Sequence, residues 1–503
     1  MKSKIFISFF AVILLYSANV FSQSVTFFPV NAAKNVNPDV QLKITFLDSV
    51  KIGETGFIRV FDNKTGKQVD MLDLSIPAGP LRANPAANAN ADYTKTPYKY
   101  EITNATNKNT VAGTPSGEAI RDTAKYQLTI IGGFTDGFHF YPIITKGKTA
   151  TIYLHNNLLE YDKTYYVTVD KSVFRGNFSG IKKGEWTFST RNNAPAKNVR
   201  NLIVSADGSG DFNTVQGAID FIPDFSSEKW DVFVKNGDYE ELVYFRNKRN
   251  VTIKGESRDG VRIHYANCEV FNPHPINLKT NEARGTFPSR RAAFAADNCS
   301  DLRFENITIQ TTMYGQAEGL LLMGERLFLK NVHIIGSGDA LQVNGSAYFT
   351  DCLIDGDGDS VLGRGAAFFN NCTLTSGGPF MWIRNTAENH GNVFLNCVFK
   401  GKGQRSVIAR SPKNGGKTYP FAEAVLLNCK LENIPEVGWG DIHPESEGLH
   451  FWEYNSQTAD GQTIDASKRH PMSRRLDKEK DAEIIKNYSN PRYILNWNDL
   501  EYF

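Results

Sequence analysis

The chain has 503 residues, 41% of them hydrophobic, and a formal net charge of +2. That length exceeds one ordinary domain, and the apolar fraction is enough for a sizeable core. A near-neutral charge with no long basic run excludes nucleic acid as an expected partner. At the start, Lys2 and Lys4 precede an apolar run from Ile5 to Tyr16, and small or polar residues follow. This order predicts a signal peptide over residues 1–22. The run is shorter than the ~20 residues of a membrane span. The expected product is exported, secreted or periplasmic in a bacterial envelope, with no membrane span.

Residues 24–195 read as a β-sandwich. "QLKITFLDSV", "GFIRVFDNKTGKQV", "TATIYLHN", "TYYVTVD" and "GEWTFSTR" are short runs rich in β-branched and aromatic residues, separated by turn residues. A long insertion occupies about 80–125, and the polar "RNNAPAKNVRN" (191–201) reads as a linker. The proline-containing opening "FFPVNAAKNV" and the closing Y-x-V-T-V and W-T-F-S-T pair resemble bacterial immunoglobulin-like domains. A spacer role is the expectation for this region.

From residue 202 to 503 the texture is repetitive. "FNTVQGAIDFIP" has apolar residues at helical spacing behind a candidate N-cap, Asn213, and predicts a short helix that closes the open end of a solenoid. "LRFENITI", "LFLKNVHI", "YFTDCLI", "FFNNCTL", "VFLNCVF" and "VLLNCKL" then place Asn306, Asn331, Asp351, Asn371, Asn396 and Asn428 at spacings of 25, 20, 20, 25 and 32. Coils of this length without helical periodicity predict a parallel β-helix. Cys352, Cys372, Cys397 and Cys429 fall beside the Asn/Asp ladder and read as stacked free thiols, with a disulfide between adjacent rungs as the alternative.

In that register Asp339 lies eight residues after Asn331, and Asp359 eight after Asp351. Two acids at one place on successive coils are ~5 Å apart, the strand spacing. Like charges so close push the two pKa values apart, leaving one carboxylate as nucleophile or base and one carboxylic acid as proton donor. A ladder of surface turn aspartates is the plainer alternative. "DGDGDS" (355–360) fails as an EF-hand, because Ser360 replaces the glycine and Ala366 the bidentate glutamate. The nine histidines lack zinc-ligand spacing, so no metal is expected.

The segment 202–503 resembles the pectinesterase (pectin methylesterase) family. The residues that carry the resemblance are "ADGSGDFNTVQGAIDFIP", "GDYEE", "GQAEGLLL", "GDALQVNG", "GDSVLGRGAAFFNNC", "IARSP" and "VGWGD", in the family's order. The resemblance implies a right-handed parallel β-helix, no cofactor, a monomer, and methylated homogalacturonan (pectin) as substrate. It implies Asp359 as nucleophile, Asp339 as acid/base, Gln316 as oxyanion donor, Arg410 as partner of the nucleophile and Trp439 as a substrate-facing ring. Three places depart from the family's motifs. Gly338 stands for a second glutamine, Ser360 and Leu362 for aromatic residues, and Pro412 for a tryptophan. Gly338 and Trp382 are therefore assigned to substrate binding, with Arg364 and Arg384 as further candidates. A β-helical glycosidase or lyase, and a glycan-binding member without activity, are the rival readings.

Overall fold

The structure, a computed structural model, describes residues 25–79, 128–133, 138–272, 290–410, 413–414 and 417–497. The expected signal peptide and the 80–125 insertion lie outside these residues, as does Pro412.

The N-terminal region is a β-sandwich, as its alternating runs predict. One sheet holds Thr26–Phe28, Leu42–Thr45, Thr149–Ile152 and Ile143–Lys146. The other holds Ala33–Val36, Thr187–Thr190, Thr164–Val169, Phe57–Asp62 and Gln68–Asp73. Neighbours are antiparallel except Ala33–Val36, which runs parallel to Thr187–Thr190. Leu42, Ile44, Ile58, Val60 and Val167 point inward and are buried, while Lys43 and Arg59 point outward, the period of two that a half-buried strand requires. Trp186 is sealed in this core and its indole N–H donates to the Pro29 carbonyl at 2.9 Å.

Beyond residue 200 the chain winds into a parallel β-helix with three faces, and every ladder of the coil is parallel. A right-handed coil is the hand that parallel crossovers favour. Paired positions repeat from coil to coil, for example Leu341, Val361 and Met381. Asn306, Asn331, Asp351, Asn371, Asn396 and Asn428 all sit at one corner with φ between 54° and 56°. Asn and Asp adopt this left-handed conformation at lower cost than other side chains, which explains the repeat. Their side chains also bridge coils, as in Asn331 Nδ2 to Asn306 Oδ1 at 2.9 Å. Inside, Phe349, Phe369 and Phe394 stack at 4.5 Å intervals. All six cysteines are free and buried.

The helix Val215–Phe221 packs on the first strands of the coil, as expected. Its cap is Thr214, whose side chain accepts from Gly217 N–H, and not Asn213. Asn213 is drawn off by a tertiary contact, accepting from Asn37 Nδ2 of the N-terminal region at 2.9 Å. That contact belongs to a broad docking surface. Tyr265, Ala266, Cys268, Phe271, Met313 and Ala317 of the coil lie in one continuous core with the sandwich. A spacer hinged on its linker has no such shared core.

Candidate active site

Each acid stands two residues before a strand of the same face. Asp339 precedes Leu341–Val343, Asp359 precedes Val361–Gly363, and Leu341 pairs with Val361. The two carboxylates therefore occupy successive coils, as their spacing predicts. Their side chains are similarly shielded, 13% and 16% exposed. Their partners differ.

Asp359 has φ 47° and is gripped by Arg410, whose Nε donates to Oδ1 at 2.9 Å and whose Nη2 donates to Oδ2. A fork of this kind fixes the plane of the carboxylate. The Arg410 guanidinium also lies 4.5 Å from the centroid of the half-buried Trp382, and that of Arg384 lies 4.4 Å from it. Arg364 reaches sideways, with Nη2 donating to Tyr419 Oη at 3.2 Å.

Asp339 sits 3.1 Å from Arg291 Nη2. Arg291 is shared, donating through Nε to both oxygens of the fully buried Glu318 at 2.8 and 2.9 Å and through Nη1 to Gln316 Oε1 at 2.8 Å. Burial is the largest influence on Asp339 and pushes its pKa up to about 8. Arg291 opposes that rise, while Glu318 and Asp359 add to it. At neutral pH Asp339 thus holds its proton. Gln316 is exposed, and with its amide oxygen taken by Arg291 its NH2 is turned away from that arginine.

Arg291 and Glu318 were not among the residues read from the sequence. Both left a trace there. Arg291 opens the apolar run "RAAFAA", and Glu318 is a lone charge in "GQAEGLLL", where the family motif has valine.

Trp439 is a correction. It is 1% exposed, stacks on Phe451 at 4.7 Å and donates to Glu453 Oε1 at 2.9 Å. It packs the coil interior instead of facing substrate, because the bend that carries it turns the ring onto Phe451 and Glu453. Gly338 has a backbone reason to be glycine. Its φ is +88°, and a Cβ there would lie 2.7 Å from the Gly315 carbonyl oxygen. Ser360 and Leu362 are buried. Among the described residues no three His, Cys, Asp or Glu side chains are grouped to hold a metal ion.

Comparison with known proteins gives one consistent family. The Pectinesterase family model matches residues 201–495. Pectinesterase QRT1 of Arabidopsis thaliana is 29% identical over 333 residues, covering 62% of this chain and 83% of that protein. Pectinesterase 31 of the same plant is 27% identical over 312 residues, covering 59% and 95%. Among solved structures, the pectin methylesterase from carrot aligns with a TM-score of 0.49 at 20% identity, covering 60% of this chain and 95% of that one. Pectin methylesterase PemA from Erwinia chrysanthemi aligns at 0.46 and 21%, covering 61% and 99%.

Proposed function

The chain belongs to the pectinesterase family, and from that premise we propose that it hydrolyses the methyl esters of galacturonate units in pectin by a two-aspartate mechanism. Asp359, oriented by Arg410, attacks the C6 carbonyl carbon of the ester. Negative charge develops on the carbonyl oxygen and is met by the amide of Gln316. As the tetrahedral intermediate collapses, the C–O bond to the methoxy group breaks. Asp339 gives its proton to that oxygen, releasing methanol. The anhydride between Asp359 and the sugar carboxyl remains. Asp339, now ionised, takes a proton from water, whose oxygen attacks the sugar acyl carbon of the anhydride; the bond to Asp359 breaks, and the galacturonic acid so freed loses its proton to solvent. Asp339 ends protonated and Asp359 ionised, as both began.

The observation that carries this reading is the opposite setting of two acids at one register: Asp359 in an arginine fork, Asp339 buried and protonated. Trp382 is assigned to the sugar platform, the buried Arg384 to holding that ring from within, and Arg291 to positioning Asp339 and Gln316. The N-terminal β-sandwich is read as immunoglobulin-like, which its parallel strand pair supports, and the protein as a monomer that is secreted or periplasmic. The test is methanol release from highly esterified pectin. Methanol without new reducing ends is expected. New reducing ends or unsaturated products without methanol would favour a glycosidase or lyase.

A further inference from the structure

The positions of the catalytic face that point away from the coil interior form a ladder along its axis. Tyr244, Ala295, Leu321, Gln342, Leu362 and Trp382 stand at paired positions on successive strands, Gln342 and Leu362 buried and Trp382 half-buried. The two aspartates precede the strands that carry Gln342 and Leu362. A polymer lying along this ladder needs room on both sides of the pair.

One side is filled by the N-terminal region. Ile131 and Phe138 share one apolar cluster with Tyr244, Ala295 and Leu321, and those three coil residues are fully buried. The Phe138 ring lies 4.7 Å from that of Tyr244 and 4.4 Å from the Arg290 guanidinium, next in the chain to Arg291. Gly132 approaches so closely that a Cβ would fall 1.7 Å from the Tyr244 carbonyl oxygen. This cover is anchored. His139 Nδ1 is 2.6 Å from the Phe271 carbonyl oxygen, His139 N–H donates to Asn272 Oδ1 at 2.8 Å, and Tyr141 stacks on Phe271 at 4.5 Å. On the far side Trp382 and Arg410 remain partly exposed.

We propose that the N-terminal region ends the substrate cleft, so that the enzyme takes pectin by a chain end and demethylates the terminal or next unit. The covered Leu321 rung is one coil, ~4.8 Å, before the rung of Asp339, which leaves room for a single sugar ring and no chain beyond it. The inference rests on the ester hydrolysis proposed above.

The test is brief digestion of fully methylated hexagalacturonate, with the lost methyl located by tandem mass spectrometry. Loss at or next to one chain end at least tenfold over internal units is expected. Methanol release with equal loss at internal units overturns the closed cleft and leaves ester hydrolysis standing. No methanol from hexamer or polymer overturns both. A second measurement needs no turnover. The Asp359→Asn protein is titrated with methylated hexamer carrying a bulky fluorophore at one end or the other. A label at one end should weaken binding at least tenfold while the other is tolerated, and equal affinities overturn the proposal.

Discussion

The turns at Asp339 and Asp359 stand at one register of the coil and are partnered differently. Both follow a left-handed Asn or Asp corner by eight residues, and both precede paired strands. Asp359 meets one cation through a two-pronged grip. Asp339 meets a cation already committed to Glu318, so the positive charge it feels is divided and burial prevails. A repeat can therefore place two identical groups side by side, while the side chains packed around each give them different surroundings. The lesson is that register supplies proximity, while the neighbours' own partners decide protonation.

Removing either acid tests whether the roles differ. Asp359→Asn keeps the shape and loses the nucleophile, so methanol release should fall on the order of 10⁴-fold or more, with an unchanged circular dichroism spectrum. Asp339→Asn removes a general acid and should cost about 10²–10⁴-fold. Activity within tenfold of wild type in either folded variant would end that assignment. Gln316→Ala removes one oxyanion donor and should lower kcat by about 10²–10³-fold with little change in KM.

Proton linkage sharpens the contrast. Asp339 has a raised pKa of about 8 and must hold its proton to serve as acid. The rate constant kcat/KM should fall as pH rises through that value, whereas a profile flat from neutral pH to pH 10 would show that the acid lies elsewhere. Arg410→Lys keeps the charge and loses the fork and the contact with Trp382, for a loss of about tenfold in kcat/KM, one hydrogen bond's worth. The smallest kinetic effect belongs to Trp439→Phe. Its indole N–H satisfies Glu453 in the core, so thermal stability should drop by about 1–3 kcal/mol while kinetic constants stay within twofold. A large kinetic defect with unchanged melting would return Trp439 to the cleft.

The β-helix and its acid pair were legible in the sequence because both are bound to a local period. An Asn or Asp every 20 to 32 residues marks a left-handed corner, and counting from it fixes which residues share a face. The buried cysteine stack follows from the same count. What the period does not carry is direction and partnership. Trp439 lies in a motif expected to face substrate, yet the inward side of its coil claims the ring. Gly338 reads as a missing glutamine until the Gly315 carbonyl beneath it is seen. Arg291 joins Gln316, Glu318 and Asp339 across intervals of 25 to 48 residues, contacts that exist only once the coils are wound. The sandwich over Tyr244 and Leu321 is decided by a docking surface between regions more than a hundred residues apart, which no local pattern encodes.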